Sequence, residues 1–346
     1  MKIMVSAYLD NNIGDDLMIF LLADKYKEHM FLVYTDKSVI VNTFSKLENI
    51  IVKSTKEIKK DIRDIDVYLS IGGSIFNDLN NWKGQILRVK RILTLKKLKK
   101  KNIKIVTMGC NLGPYNNKIG LLLTKLELKL NNLISVRDIS SFNIIKNFKS
   151  IKNFYLADDI VYNLNYENYG GLKSQCLGIS AYRSLIKSDY NMENYKFLAA
   201  IADNYIEKTG NIVKLFAFDS ENENDLVDIK SKVQIIPYLG DHDGFIRELN
   251  RCNRFIAIRF HSAILCDIFK IPFLPVVYSN KLKSLLDDND YEGVQININD
   301  LNSRKHSVLK ITDAIINAEN LFEHTNETNY KSSNIHFDEF SKLLSE

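Results

Sequence analysis

The chain has 346 residues, of which 45% are hydrophobic and 26% are charged, as is ordinary for a globular protein. Lysine and arginine number 47 against 42 aspartates and glutamates, an excess too small to indicate nucleic-acid binding without a localised basic and aromatic patch. This length and composition exclude a disordered tail and favour two domains over one compact core.

The cysteine spacing and the N-terminus limit the class of protein further. The four cysteines lie far apart, and none belongs to a Cys-x-x-Cys pair: Cys110, Cys176, Cys252 and Cys266. This spacing fits neither a zinc site nor a thioredoxin-like motif, so reduced thiols in the cytosol are expected. The N-terminus, MKIMVSAYLDNN, is typical of a strand and a polar loop, and no run approaches about 20 apolar residues. We therefore predict a cytoplasmic protein without a membrane-spanning segment.

Short apolar runs alternate with segments of helical periodicity in the first half of the chain. The predicted strands are 2–9, 31–35, 66–71, 103–109, 133–136 and 153–157. The clearest predicted helices are 16–27, 85–100 and 118–130. Strands that alternate with helices predict βα units and a parallel sheet with helices on both faces.

A polar segment with paired glycines, 163–174, interrupts this alternation and is interpreted as an interdomain linker. Strands are predicted again at 176–180, 212–218, 233–237, 254–258 and 273–277. The predicted α/β domains are 1–165 and 174–322, followed by a helical tail, 323–346, that is expected to pack on the first domain. Two Rossmann-like, doubly wound domains facing a cleft form the architecture of GT-B-type transferases.

The loop after the first strand contains residues suited to ligand contact. Asn12 and Asp15 offer a hydrogen-bonding side chain and a helix cap, and Gly14 permits close approach of the backbone. A plain capped βα turn is the alternative. The segment has neither the Gly-x-Gly-x-x-Gly nor the Walker pattern, so it does not support nucleotide binding.

Two further strand ends in the first half carry candidate residues. The loop SIGGSIFND ends at Asp78, and its paired glycines permit close packing against a ligand or another loop. Arg137 ends the strand 133–136, where a guanidinium is suited to bidentate capture of phosphate or carboxylate. An ion pair with the neighbouring Asp138 is the alternative interpretation of Arg137.

The second half has two candidate strand ends. Tyr182 and Arg183 follow the strand 176–180, either facing a ligand or serving as ordinary loop residues. Arg259 and His261 lie at the carboxyl edge of the strand 254–258, where open α/β sheets bind ligands. Ser262 is predicted to open a helix whose N-terminal amides suit an anion. The alternative is a surface arginine and a structural core histidine.

The run 88–104 has nine basic and no acidic residues, with leucine and isoleucine between them. It is either a solvated helix face or a surface attracted to anionic lipid at the inner face of the cytoplasmic membrane.

The sequence feature most similar to a metal-binding acidic pair is Asp158–Asp159, which is interpreted as a helix cap. We therefore predict no metal and no other cofactor.

Seven segments of the chain, in the order in which they occur, resemble segments of the polysaccharide pyruvyl transferase family. The matching segments lie within residues 11–281: NNIGDD, IGGSIFND, GCNLGPY, SVRDISS, ADDIVYNL, GISAYR and RFHSAILCDIFKIPFLPVVYSNK. The most specific feature is the Arg-x-His-Ser sequence, followed by Ile-Pro and Tyr-x-x-Lys. The shorter glycine loop and the sequence GISAYR depart from the family pattern, which leaves the acceptor open.

The resemblance implies a GT-B-like enzyme that transfers the enolpyruvyl group of phosphoenolpyruvate onto two sugar hydroxyls as a cyclic ketal. The process would be synthesis of a bacterial cell-envelope polysaccharide. Arg259 and His261 are the implied catalytic pair. The residues expected at the phosphoenolpyruvate donor are Arg137, Arg259, Ser262, Lys281, Asn12 and Gly14. Those expected at the acceptor, a lipid-linked saccharide, are Asp15, Asp78, Tyr182 and Arg183. No nucleic acid is expected as a partner.

The residue chemistry agrees with such a donor. Phosphoenolpyruvate carries several negative charges, which suit Arg137, Arg259 and a helix N-terminus. Histidine gains and loses protons readily near neutral pH, so His261 is suited either to protonate the methylene carbon or to deprotonate a sugar hydroxyl. Two other functions stay open: a GT-B glycosyltransferase that uses a nucleotide sugar, and a non-catalytic scaffold of the same fold.

Overall fold

The computed structural model describes residues 1–73, 75–76, 82–115, 117–181, 188–219, 233–277, 280–297, 307–318, 321–322 and 332–346, without the side chains of 188–195, 280 and 307. The chain forms two compact units. The first comprises Met1–Leu9, Asp15–Asn163 and Glu327–Glu346, and the second comprises Asp10–Gly14 and Leu164–Asn326.

Strands and helices alternate along the described chain. The strands are β1 (Lys2–Ser6), β2 (Met30–Tyr34), β3 (Ile50–Lys53), β4 (Val67–Ile71), β5 (Lys104–Cys110), β6 (Leu133–Val136), β7 (Phe154–Leu156), β8 (Cys176–Ser180), β9 (Ile212–Ala217), β10 (Val233–Pro237), β11 (Arg254–Ala257), β12 (Phe273–Val277) and β13 (Ile296–Asn297). The helices are α1 (Ile13–Lys25), α2 (Ser38–Phe44), α3 (Ile58–Asp61), α4 (Trp82–Lys99), α5 (Lys118–Leu128), α6 (Ile139–Lys146), α7 (Ser188–Thr209), α8 (His242–Asn250), α9 (Phe260–Ile268), α10 (Asn280–Asp288), α11 (Ser307–Asn317) and α12 (Ile335–Ser345).

The first unit is built on a parallel sheet of strand order β3-β2-β1-β4-β5-β6-β7. The order reverses between β1 and β4, whose register pairs Ile3 with Val67. The sequence LISV of β6 is buried throughout, as expected of a strand covered on both faces by helices. Ligands in such sheets bind at the carboxyl ends of the strands, beside the reversal.

The second unit repeats this design in a parallel sheet of order β10-β9-β8-β11-β12-β13. Its order reverses between β8 and β11, which pair Gly178 with Phe255. Both strands are almost fully apolar and buried. The prediction of an α/β chain with two Rossmann-like domains is therefore confirmed.

The predicted strands lack two that the structure contains, and both lie at sheet edges. β3 has the short sequence IIVK and is mostly half-exposed, and β13 has only two residues. In neither does the sequence give a long apolar run or a clear alternation. None of the helices in the described ranges is both long enough and apolar enough to cross a membrane.

The C-terminal helix α12 packs on the first unit. The Tyr26 hydroxyl donates to the Phe337 carbonyl oxygen at 2.7 Å, and the Tyr26 ring makes edge contacts with Phe337 and Phe340. Lys104 Nζ donates to the Leu343 carbonyl oxygen at 2.6 Å. These apolar and polar contacts tie the last segment of the chain to Tyr26, which directly follows α1, and to the first residue of β5.

His336 on α12 gives the first unit a predicted dependence on pH. Its Nδ1 lies 2.7 Å from Ser135 Oγ and its Nε2 2.7 Å from the Asp158 carbonyl oxygen. Burial lowers the pKa of His336 from its ordinary 6.5 to about 4. Between those pH values the unfolded chain binds a proton that the folded chain does not. The free energy of unfolding therefore decreases as the pH is lowered from 6.5 to 4. We expect this histidine to contribute a loss of about 3 kcal/mol from pH 6.5 to 4.

Urea unfolding at a series of pH values measures this effect. Other groups also titrate in this range, so the diagnostic quantity is the difference between the native chain and His336→Gln. The variant should be less stable at neutral pH but should lose less stability on acidification. Equal losses in the two proteins would contradict the assignment.

Candidate functional site

The turn that follows β11 holds Arg259 and His261 at the carboxyl edge of the second sheet. Arg259 is extended (φ −72°, ψ 141°) and occupies the cap position of α9, which begins at Phe260. The predicted helix start at Ser262 is therefore two residues too late. Ser262 N already donates to the Arg259 carbonyl oxygen at 3.0 Å, as is usual in the first turn of a helix.

Ser180, the last residue of β8, fixes this turn. Its Oγ accepts hydrogen bonds from Ile258 N at 2.6 Å and from Arg259 N at 3.3 Å. Ser262 Oγ is fully buried, 3.1 Å from Ser180 Oγ and 2.6 Å from the Arg259 carbonyl oxygen. These bonds give Ser262 a structural role, and its contact with a donor stays a prediction.

The segment Asp10–Gly14 packs along the same edge of the second sheet. Asn12 forms an antiparallel bridge with Asp219, and Ile13 N donates to the Phe218 carbonyl oxygen at 3.1 Å. Asn11 Nδ2 donates to the Tyr238 carbonyl oxygen at 3.0 Å. The loop therefore crosses the ends of β9 and β10. This placement brings Asn12 and Gly14 to the Arg259–His261 turn.

Gly14 lies directly against the His261 imidazole. A Cβ atom built on Gly14 would lie 1.8 Å from His261 Nδ1 and 2.2 Å from His261 Cγ. No side chain fits there unless the imidazole moves. Gly14 N donates to Asn12 Oδ1 at 3.1 Å, so Asn12 holds the first turn of α1 at this position. The ring of His261 is thus positioned by a backbone surface that only glycine provides.

Arg259 is held beside an acidic group. One guanidinium nitrogen of Arg259 lies 3.8 Å from Asp219 Oδ2, and the Arg259 side chain is 16% exposed. A half-buried guanidinium, an imidazole and the N-terminus of α9 therefore meet at one strand end. Such a group of donors is suited to a small anion. The partial exposure leaves the guanidinium accessible to a ligand.

The other site residues predicted in the second half are Lys281, Tyr182 and Arg183. Lys281 is the second residue of α10, follows β12, and is half-buried. Because β12 is adjacent to β11 in the parallel sheet, Lys281 follows a strand end at the same sheet edge as Arg259. Tyr182 and Arg183 lie outside the described residues.

Arg137 lies at the end of β6 in the first unit and is almost fully buried. Its Nη1 donates to Asp159 Oδ2 at 2.6 Å and its Nη2 to Asn111 Oδ1 at 3.1 Å. Burial alone would lower the pKa of Arg137, but the charge and hydrogen bond of Asp159, together with the charges of Asp15 and Asp138, raise this pKa. Asn111 and Asp159 follow β5 and β7, the two neighbours of β6, so three adjacent strand ends build this cluster.

The alternative interpretation predicted an ion pair between Arg137 and Asp138. Arg137 does form an ion pair, but Asp138 is not its partner. Asp138 instead caps α6, where its Oδ1 accepts from Ser141 N at 2.7 Å and its Oδ2 from Ser141 Oγ at 2.8 Å. The carboxylate that pairs with Arg137 is Asp159, whose Oδ1 also accepts from Val161 N at 3.0 Å.

Asp15 and the glycine loop meet at the reversal of the first sheet. Gly73 has a positive φ of 61°, and a Cβ atom built on it would lie 2.9 Å from Asp15 Oδ1 and 3.6 Å from Tyr8 Cβ. The loop after β4 therefore approaches the residues after β1 closely. Asp15 lies in the first turn of α1 and is not its cap. Asp78 lies outside the described residues.

Four residues of these clusters were not among the predicted site residues: Ser180, Asp219, Asn111 and Asp159. All four end or follow a strand of a parallel sheet, and Asn111, Asp159 and Ser180 also lie in the family-like segments GCNLGPY, ADDIVYNL and GISAYR. Their partners are distant in the chain and depend on the strand order, which the sequence alone does not give.

Two Rossmann-like units with polar clusters at their strand ends define a protein of GT-B-like fold. A model of the family described as polysaccharide pyruvyl transferase matches residues 12–280. The chain therefore belongs to the polysaccharide pyruvyl transferase family, which implies a pyruvyl transferase with a saccharide acceptor. None of the curated proteins matches the chain in sequence.

Solved structures of low sequence identity share the fold. The UDP-GlcNAc 2-epimerase of Neisseria meningitidis is 12% identical, with a TM-score of 0.61 and all of both chains covered. The putative UDP-N-acetylglucosamine 2-epimerase of Listeria monocytogenes is 10% identical, with a TM-score of 0.59, covering 99% of this chain and 96% of its own. The Methanocaldococcus jannaschii UDP-GlcNAc 2-epimerase is 11% identical, with a TM-score of 0.58 and 99% of each chain covered. At these identities the likeness shows the fold alone.

Replacement of Gly14 by alanine should displace the His261 imidazole. The backbone at Gly14 is not in the left-handed region, so alanine is strained there only by the imidazole. His261 is the predicted catalytic imidazole, and a displacement of about 1 Å lowers the rate of a catalysed step about a hundredfold, so we expect kcat to fall by about that factor. Steady-state release of phosphate from phosphoenolpyruvate, the predicted donor, in the presence of an acceptor saccharide measures the change.

Gly171→Ala is the matched control, because a Cβ atom there would meet nothing within 4 Å. It should leave kcat unchanged. In a chain that already carries His261→Ala, Gly14→Ala should have no further effect, since the ring that it displaces is gone. Native kcat in Gly14→Ala alone would show that activity does not need the imidazole in this position.

Proposed function

We propose that this protein transfers the enolpyruvyl group of phosphoenolpyruvate onto two hydroxyls of a sugar, forming a cyclic ketal. Membership of the pyruvyl transferase family supports the reaction class. The single observation that carries the site is the Arg259–His261 turn, packed on Gly14 at the reversal of the second sheet. It presents a cation, a proton-transfer group and a helix N-terminus together.

The donor fits the charges of this turn. Phosphoenolpyruvate has a carboxylate and a phosphate on a three-carbon frame, and Arg259 is suited to pair with either in bidentate fashion. The amides at the start of α9 add partial positive charge. Lys281 follows the neighbouring strand end of the same sheet and is the second cation that we assign to the donor.

The reaction is balanced without an oxidant or a metal. The methylene carbon of phosphoenolpyruvate gains a proton, and the oxygen of the first sugar hydroxyl bonds to C2 and loses its proton. The bond from C2 to the phosphate oxygen then breaks, and the oxygen of the second hydroxyl replaces it. The products are the ketal and inorganic phosphate, which leaves with the proton of the second hydroxyl.

His261 is the proton-transfer group in this scheme. An oxocarbenium-like centre develops at C2 when the methylene carbon is protonated, and an imidazolium beside the donor is suited to supply that proton. A neutral imidazole in the same position is suited to accept a proton from the attacking hydroxyl. The two assignments require opposite protonation states in the free enzyme, so the pH dependence of kcat/KM separates them.

The proposed acceptor is a lipid-linked saccharide, modified at the inner face of the cytoplasmic membrane. Asp15 and the glycine loop lie at the reversal of the first sheet, where α/β folds bind ligands. We therefore assign Asp15 to the acceptor. A carboxylate is suited to accept hydrogen bonds from sugar hydroxyls.

Thermal unfolding with candidate donors tests the function. A ligand that binds the folded chain raises its melting temperature by mass action. Phosphoenolpyruvate should raise it, and Arg259→Ala should remove most of the shift. A shift with UDP-sugars and none with phosphoenolpyruvate would instead favour a glycosyltransferase. No shift with either donor, together with no phosphate release across an acceptor panel, would favour a non-catalytic scaffold.

A further inference from the structure

Helices α4 and α5 lie side by side on one face of the first sheet. β4, β5 and β6 are neighbours in that order, and right-handed crossovers place both connecting helices on the same face. Glu127 of α5 pairs with Arg88 Nε at 3.1 Å and with Arg91 Nε at 2.8 Å, and all three side chains are turned inward. The two helices therefore form one continuous layer with a common outer surface.

Helix α4 has an apolar stripe on its outer side as well as on its buried side. Ile92, Leu95 and Leu98 are buried against the sheet. The outer stripe follows the spacing i, i+4, i+7, i+11, which keeps side chains within one narrow arc of a helix. Its members and their exposed fractions are Trp82 (67%), Ile86 (44%), Val89 (43%) and Leu93 (52%).

Helix α5 continues the exposed apolar surface. Ile119, Leu122 and Leu126 are spaced i, i+3, i+7, so they share one side of the helix. Their side chains are 54%, 54% and 39% exposed. We call the outer surface of both helices the α4–α5 face, comprising Trp82, Ile86, Val89, Leu93, Ile119, Leu122 and Leu126. A cluster of this kind on a monomer usually marks an interaction surface.

The exposed charges of α4, of α5 and of the segment that joins them are of one sign. Residues 82–129 contain thirteen lysines and arginines and a single acidic residue, Glu127, which is buried. With Arg88 and Arg91 turned inward against Glu127, the exposed charges come from lysines. Those that flank the stripe on α4 are Lys83, Lys90, Lys96 and Lys97. The face is therefore apolar at its centre and basic at its rim.

We propose that the α4–α5 face binds a membrane surface rich in anionic phospholipid. The apolar side chains enter the region between headgroups and acyl chains, and the lysines contact phosphate groups, as in other interfacial helices. Trp82, at the start of α4, has the ring type that prefers this interface. The proposal depends on the exposed side chains of α4 and α5. It is therefore independent of the donor that binds at the Arg259–His261 turn.

Trp82 is the single tryptophan of the chain, so its fluorescence reports directly on this face. On addition of vesicles of phosphatidylcholine and phosphatidylglycerol, the emission should shift to shorter wavelength and the protein should sediment with the vesicles. Pure phosphatidylcholine vesicles should bind at least about tenfold more weakly, and higher salt should weaken binding to the anionic vesicles.

Two variants separate the apolar and the electrostatic parts of the face. Leu93→Ser with Leu122→Ser removes exposed apolar groups, and Lys90→Glu with Lys97→Glu reverses two flanking charges. Each pair should weaken vesicle binding at least about tenfold. Lys146→Glu with Lys152→Glu, on exposed lysines elsewhere in the first unit, changes the net charge equally and should leave binding near the native level.

Three results would overturn the proposal. The native chain could fail to bind the anionic vesicles, or the Lys146 and Lys152 variant could lose as much affinity as the Lys90 and Lys97 variant. Light scattering could also show a dimer that Leu93→Ser with Leu122→Ser dissociates, so that a second copy covers the face. Turnover of phosphoenolpyruvate with a water-soluble acceptor should be unaffected in all these variants, which keeps failure here distinct from failure of the proposed function.

Discussion

Replacement of His261 by alanine is expected to lower kcat about a thousandfold or more while phosphoenolpyruvate still binds measurably. A positioned acid or base contributes a factor of this size to proton transfer. We expect donor affinity to come from Arg259 and not from the imidazole, so it should survive this replacement. The imidazole is held at the strand end by its contact with Gly14. Single-turnover phosphate release measures the chemical step, and calorimetric titration measures donor affinity.

Arg259→Ala should have the opposite pattern. Loss of a charge-assisted hydrogen bond to the donor should weaken phosphoenolpyruvate binding about tenfold to a hundredfold. The variant also leaves Asp219 without the cation at 3.8 Å, which makes the site more negative and adds to the loss. A low kcat with native donor affinity in Arg259→Ala would reverse the division of roles.

His242→Ala and Arg251→Ala are the matched controls for these two variants. His242 lies 3.4 Å from Asp243, and Arg251 pairs with Glu248 on the surface. Both belong to the second unit but not to the turn after β11. Each should retain native kcat and donor affinity, so a loss in either would indicate a general disturbance of the unit.

The elements that the sequence predicted best are buried strands bounded by turn residues. The predicted ranges 133–136, 176–180, 233–237 and 273–277 match β6, β8, β10 and β12. β6, β8 and β12 are largely apolar and buried, which leaves no polar alternation to confuse the pattern. β10 is a half-exposed edge strand that contains Gln234, and its apolar residues Val233, Ile235 and Ile236 are what the sequence pattern detected. The edge strands β3 and β13 were missed because they contain only three and one apolar residues, which is too short a run to give that signal.

The pairing of distant residues could not be predicted from the sequence. Gly14 and His261 come together only because the segment Asp10–Gly14 belongs to the second unit. A sequence reading assigns that segment to the domain that surrounds it in the chain. The contacts of Ser180 and Asp219 with the Arg259 turn depend in the same way on the order β9-β8-β11.

The basic run 88–104 shows that a count of charges in the sequence does not reveal which of them lie on the surface of a helix. Counted in sequence, Arg88 and Arg91 belong to one cationic surface with the lysines. In the structure they face Glu127 beneath that surface. The exposed charge then comes from lysines. A count of charges does not detect the exposed apolar stripe beside them, Trp82, Ile86, Val89 and Leu93.

Asp159→Ala should destabilise the first unit by about 3–5 kcal/mol. The carboxylate and the guanidinium of Arg137 are both nearly fully buried and lie 2.6 Å apart, so removal of one leaves the other charge buried without its counter-ion. Urea unfolding followed by circular dichroism and by Trp82 fluorescence measures the change, since Trp82 lies in the same unit.

Arg137 has two possible roles, and a paired replacement separates them. Arg137→Met with Asp159→Leu exchanges the ion pair for apolar groups of similar size, which is often neutral for stability. Stability should therefore return most of the way to the native value. If Arg137 also contacts phosphoenolpyruvate, the double variant should bind the donor at least about tenfold more weakly despite its recovered stability. Native donor affinity in a stable double variant would leave Arg137 as the structural partner of Asp159 and Asn111, and would assign the donor to the Arg259 turn of the second unit.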